Sequence, residues 1–151
     1  MSAPAEVLIT VRRARPSEWQ ELHAIQCRAS LALEEYREQL IAHPDAIELP
    51  FEQVENGSVM VAELDGRLAG FAAVLVEHGH AELDGLFVEP DLWGRHIGTA
   101  LVTAAVHEAR RHGLAMMVTA GPSARGFYEK CGFALEGEAS TRFGPALRMS
   151  N

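Results

Sequence analysis

The stretch from Ala81 to His112 constrains this chain more than any other. A run rich in strand formers, Ala81 to Val88, stops at Pro90. Gly94 and Gly98 follow four residues apart, and Ile97 to His112 then reads as an Ala- and Leu-rich helix. Ala100, Leu101, Ala104, Ala105 and Ala109 recur at helical spacing, small enough for the helix to lie close to a sheet. Arg110, Arg111 and His112 fall in the last turn, and Gly113 stands as a left-handed cap. A strand that passes through a glycine-bearing turn into a helix leaves backbone N–H groups unpaired at the helix start, where the helix dipole also favours an anion. Such a turn suits a phosphate group. The missing side chains of Gly94 and Gly98 allow a pyrophosphate to approach the peptide groups, and Arg95 and His96 add charge or hydrogen bonds. The nucleotide P-loop is excluded, because no lysine follows either glycine, and the dinucleotide fingerprint is excluded by the spacing. Two glycines four apart also occur in ordinary close-packed helices, so alone they indicate only a generic anion site.

The rest of the chain reads as alternating strands and helices. Val7 to Val11 is expected as a first strand, and a helix starts near Ser17 with Trp19, Leu22 and Ile25 on one face. A second helical stretch runs from about Ser30 to Ala42 and ends before Pro44. Val59–Leu64 and Leu68–Val76 flank Asp65-Gly66 as a hairpin. After the Ile97 helix come a strand from Leu114 to Thr119, a short helix from Ser123 to Lys130 capped by Gly132, and terminal strands from Phe133 to about Met149. This order predicts an α/β fold on one mixed sheet, with each long helix covering one face. At 151 residues the chain fits a single domain, 1–151, with a core of its own.

Composition narrows the partners. A net charge of −8 argues against nucleic acid, whose binding rests on a basic footprint. No apolar run is long enough to cross a bilayer, and Met1–Glu6 lacks the start of a secretory signal, so a cytoplasmic protein without a membrane partner is expected. Cys27 and Cys131 are expected as free thiols. Residues 30–56 carry Glu34, Glu35, Glu38, Asp45, Glu48, Glu52 and Glu55 against Arg37 alone. That is either a solvated acidic face or a field that attracts cationic molecules. His78 and His80 could share a strand face, but no further ligand cluster accompanies them, and no metal is expected.

Three stretches in this order resemble the GNAT superfamily of acyl-CoA N-acyltransferases: Leu83-Asp84-Gly85-Leu86-Phe87-Val88-Glu89-Pro90, Trp93-Gly94-Arg95-His96-Ile97-Gly98-Thr99-Ala100-Leu101, and Ala124-Arg125-Gly126-Phe127-Tyr128-Glu129-Lys130-Cys131-Gly132-Phe133. The resemblance covers nearly the whole chain. Anchored on Pro90 and Ile97-Gly98, the family signature places Trp93 where Arg or Gln is usual and His96 where the first glycine is usual. A frame shifted onto Arg95–Ala100 fits the signature literally but sits two residues farther from the proline.

The resemblance implies a mostly antiparallel central sheet splayed in its middle and flanked by about four helices. It implies acetyl-CoA as donor, with the backbone of Leu86, Phe87 and Val88 beside the pantetheine arm. Gly94 and the amides of Arg95, His96, Ile97, Gly98 and Thr99 would hold the pyrophosphate, and Ser123 stands where many relatives carry Asn. Tyr128 matches the family's usual acid for the leaving thiolate. Homodimers are common in that family.

An attacking amine must first lose a proton, since a lysine-like amine has a pKa near ~10.4. Asp84, then Glu82, are the candidate bases on the strand that leads into the cofactor segment. They share a face if that strand is regular, and Gly85 is a place for a bulge. The expected reaction is acetyl transfer to a primary amine, with a small cationic acceptor preferred. A protein N-terminus or lysine is the second acceptor, and a non-catalytic acyl-CoA sensor is the rival of another class.

Overall fold

The computed structural model of the chain describes residues 8–151. Five strands lead up to and through the site: β1 (Ile9–Arg13), β2 (Val59–Leu64), β3 (Arg67–Glu77), β4 (His80–Val88) and β5 (Met116–Ala120). β6 (Ala134–Thr141) and β7 (Gly144–Ser150) close the chain. The helices are α1 (Trp19–Ala32), α2 (Arg37–Ala42), α3 (Phe51–Glu55), α4 (Ile97–Arg111) and α5 (Arg125–Lys130). All seven strands form one sheet in the order β1-β2-β3-β4-β5-β7-β6. Every neighbouring pair is antiparallel except β4 and β5.

The hydrophobic pattern explains the layers. On one face α1 packs Leu22 and Ile25 against Val59, Val61, Phe71 and Ala73, with Val54 of α3 beside them. On the other face α4 packs Ile97, Leu101, Val102, Ala105 and Ala109 against Ala62, Ala72, Val74, Leu83 and Met116. From Phe71 to Val74, alternate residues of β3 serve the two cores, as a strand buried on both sides requires.

Asp65 and Gly66 both have positive φ, 51° and 81°, which is the backbone that a two-residue hairpin needs. β1 starts two residues later than expected, at Ile9, and Val7 lies outside the described residues. The expected second helix from Ser30 is corrected. Ser30 lies inside α1, which runs to Ala32; Leu33 is extended (φ −86°, ψ 115°), and a 3-10 turn at Glu34–Tyr36 precedes α2. No proline or glycine marks that break. α3, one turn held by a buried Val54, was not expected from the sequence.

Candidate active site

β4 and β5 pair only over Ala81–Met116, Glu82–Met117 and Leu83–Val118. Beyond that point β5 pairs with β7 and β4 with β3, so the two parallel strands fork at Leu83 and Val118. The fork gives Leu86, Phe87 and Val88 a free edge toward β5. Pro90 and the 3-10 turn Pro90–Leu92 then end the strand and redirect the chain into α4.

A cleft of about 590 Å³ occupies the space between that edge and the start of α4. Eight of the residues expected at the cofactor line it: Leu86, Phe87, Val88, Gly94, His96, Ile97, Gly98 and Thr99. Arg95 is exposed in the same turn but does not line the cleft. At the helix start, the amides of Ile97, Gly98 and Thr99 precede the first intrahelical bond, which Ala100 makes to the His96 carbonyl at 3.1 Å. They are the free donors that an anion can use. Gly98 matters by what it lacks: a Cβ there would lie 3.3 Å from Phe127 Cζ and 3.4 Å from Cε1. The glycine lets the Phe127 ring lie against the first turn of α4.

His96 takes the left-handed conformation, with φ 63° and ψ 18°, as the residue just before α4. This is the physical reason a glycine suits the position. Left-handed backbone costs a residue with a Cβ roughly 1–2 kcal/mol, while a glycine gives back about 0.4–1 kcal/mol through the unfolded chain. His96→Gly is therefore expected to stabilise the fold by up to about 1 kcal/mol, read from denaturant midpoints. A lower midpoint would show that the imidazole makes a compensating contact.

Several lining residues were not anticipated. Ala29 and Leu33 come from α1 and its end, Leu92 and Trp93 from the turn, and Phe127 and Lys130 from α5. The Trp93 indole N–H donates to the Val88 carbonyl at 2.9 Å, occupying an acceptor on the strand edge expected to face the pantetheine. Arg28 of α1 donates two hydrogen bonds of 2.8 Å to the buried carboxylate of Glu89, which ties the α1 wall of the cleft to the end of β4. Only the three-dimensional contact reveals that pair, because the residues are 61 positions apart.

The candidate acid–base groups are distributed unevenly. Tyr128 is buried in the α4-side core, its ring edge-on to Phe127 at 5.1 Å and to Phe133 at 5.3 Å. Burial raises its pKa well above the ordinary tyrosine value, so the phenol keeps its proton at neutral pH. Asp84 is the extra residue of a bulge: Ala73 faces Gly85 and Val74 faces Leu83 across β3 and β4, leaving Asp84 unpaired in the ladder. It lies one residue past the last β4–β5 pair and is exposed. Gln53 of α3 donates to its Oδ2 at 3.4 Å, which sets it on the α1–α3 side of the sheet.

Glu82 is already engaged. Arg148 of β7 donates to its Oε1 at 2.6 Å and to Thr119 Oγ1 at 3.0 Å, while Glu82 Oε2 is enclosed without a hydrogen-bond partner. An amine has better access to Asp84. Ser123 does not line the cleft; its hydroxyl donates to Glu35, ahead of α2. Tyr36, from the same turn, packs so close to Gly121 that a Cβ there would meet its hydroxyl at 2.7 Å. The acidic segment thus reaches the end of β5, beside the fork. Cys27 and Cys131 are free thiols.

Comparison with known proteins identifies this arrangement. Residues 19–133 match the Acetyltransferase (GNAT) family. The peptidyl-lysine N-acetyltransferase YjaB of Escherichia coli is 33% identical over 141 residues, which cover 88% of this chain and 87% of that protein. An uncharacterized N-acetyltransferase of Methanocaldococcus jannaschii is 33% identical over 90 residues, spanning 52% of this chain but only 40% of that relative. In fold, the PaiA N-acetyltransferase of Thermoplasma acidophilum, crystallised in complex with coenzyme A, superposes with a TM-score of 0.77 at 20% identity over 95% of this chain and 98% of that one. From the family match and a relative of matching length, the chain belongs to the GNAT family and is an acetyltransferase.

Proposed function

We propose that the protein, acting as one domain, transfers an acetyl group from acetyl-CoA to a cationic primary amine by direct attack within a ternary complex. The observation that carries this reading is the fork at Leu83 and Val118, which opens beside a glycine-bearing helix start. In this reading the pyrophosphate takes the amides of Ile97, Gly98 and Thr99, with Gly94, Arg95 and His96 completing the turn. The pantetheine runs along Leu86–Val88 toward the fork, with the Trp93 indole moving off the Val88 carbonyl or sharing it. The amine enters from the α1–α3 side.

Asp84, or a water it holds, takes the proton from the amine, and the freed nitrogen lone pair attacks the thioester carbonyl. As the tetrahedral intermediate collapses, the C–S bond breaks. Tyr128 gives its proton to the leaving sulfur; the nitrogen, positively charged once the C–N bond has formed, loses its second proton through water, which restores the phenol, and the proton held by Asp84 passes to solvent. Glu82 serves here as a partner of Arg148 that shapes the acceptor side, rather than as the base. Ser123 acts through Glu35 and not on the cofactor.

The acidic segment between residues 30 and 56 supports a small cationic acceptor, since carboxylates raise the local concentration of cations. A second reading, a lysine side chain of a protein, is favoured by the activity for which YjaB is named. Free-thiol release from acetyl-CoA across a panel of polyamines, basic amino compounds and lysine-containing peptides separates the two. Polyamine-like amines are expected to give the highest kcat/KM. Preferential turnover of peptides would establish the second reading in its place.

A further inference from the structure

Coenzyme A carries a phosphate monoester on its adenosine 3′ position, separate from the pyrophosphate, and nothing described so far receives it. We propose that Lys130 is the receptor for that 3′-phosphate. This assignment rests on the acyl-CoA reading above. Lys130 is the only lysine of the chain, whose other twelve basic side chains are arginines. It is exposed at the end of α5 and lines the cofactor cleft.

Among the described residues no carboxylate lines that cleft; its titratable lining groups are Lys130 and His96. The nearest carboxylate in sequence, Glu129, is paired with Arg125 at 3.2 Å, and Lys130 makes no ion pair among the described residues. An acidic protein that keeps this cleft free of acid and places an unpaired ammonium there is suited to a polyanion.

Geometry restricts the alternatives. Phe127 lies against Gly98, and Phe127 and Lys130 line the same cleft as Gly98 and Thr99, so the end of α5 sits beside the first turn of α4. The adenosine would leave the pyrophosphate along the groove between α4 and α5, past Thr103 and Cys131. At a rise of about 1.5 Å per residue, Thr103 is about 7.5 Å along the helix from Gly98, whereas Arg110 is about 18 Å away. Arg110 is also occupied, donating to Asn151 at 2.9 Å. A compact ammonium on a flexible stem suits a monoester that hangs at the mouth of the cleft.

The test compares acetyl-CoA with 3′-dephospho-acetyl-CoA as donors for the wild-type protein, Lys130→Ala, Lys130→Arg and Arg95→Ala, each checked by thermal melting. Wild type is expected to favour acetyl-CoA through KM by roughly threefold to fivefold, as one exposed charge-assisted contact would. In Lys130→Ala that preference falls to near one: KM rises for acetyl-CoA alone, while kcat and the dephospho donor are unaffected. Lys130→Arg keeps most of the preference. Equal weakening of both donors in Lys130→Ala would assign the side chain to the pyrophosphate and overturn the proposal. So would a preference that survives in Lys130→Ala and is lost in Arg95→Ala. A wild-type protein that binds neither donor would overturn the acyl-CoA reading itself, and this assignment with it.

Discussion

Replacing Tyr128 by Phe is expected to lower kcat by about a hundredfold or more, the usual contribution of a positioned proton donor, while the KM for acetyl-CoA changes little. The phenol hydroxyl has no protein hydrogen-bond partner among the described residues, and both edge-on contacts belong to the ring. The substitution therefore preserves packing, and the melting temperature should stay close to wild type. Burial makes the prediction sharp: a phenol whose pKa lies well above its ordinary value holds its proton throughout the neutral range. Activity should accordingly show no loss from tyrosine ionisation on the alkaline side below the ordinary tyrosine value. Unchanged kcat in the Phe variant, measured by thiol release, would remove Tyr128 as the acid.

Gly70→Ala is expected to cost about 1–3 kcal/mol of stability, the range for overpacking a closed site. Gly70 pairs with Val88 across β3 and β4, and a Cβ there would sit 2.6 Å from the Phe87 carbonyl oxygen and 3.1 Å from Val88 Cα. Both are backbone atoms of the neighbouring strand, so no rotamer change relieves the clash. An alanine gains about 0.4–1 kcal/mol through the unfolded chain, which offsets only part of the strain. Relief requires β4 to shift at Phe87 and Val88, the residues that line the cleft. The KM for acetyl-CoA should rise along with the drop in denaturant midpoint. A midpoint equal to that of wild type would show that the two strands separate freely at this point.

Features set by local chemistry were legible in the sequence. The hairpin at Asp65-Gly66, the stop at Pro90, the α4 helix and its Gly113 cap all follow from turn residues and periodicity, and each lies where expected. So do the cleft residues Leu86, Phe87, Val88, Gly94, His96, Ile97, Gly98 and Thr99, because a strand, a turn and a helix start that are contiguous in the chain form most of that wall. The break at Leu33 was not legible, since no proline or glycine signals it. Ala29 and Leu33 enter the cleft by tertiary packing that no spacing reveals.

The acid–base assignments show the same limit. Glu82 and Asp84 are equivalent by sequence alternation. They are separated by a bulge and by Arg148, 66 residues from Glu82 in the chain. Ser123 occupies a cofactor position in the chain order, yet its hydroxyl is directed to Glu35, 88 residues earlier. His96 is the reverse case. The departure from the family pattern is visible in the sequence, and its meaning, a left-handed backbone carrying an imidazole, appears only in the conformation.

The most direct measurement of the central claim mixes the protein, acetyl-CoA and a cationic primary amine, and quantifies free coenzyme A thiol together with N-acetylated amine. Equal amounts of the two products, formed only when all three components are present, are the predicted result. Coenzyme A that raises the melting temperature while no amine releases thiol would contradict the account and leave the cleft as a sensor of acyl-CoA.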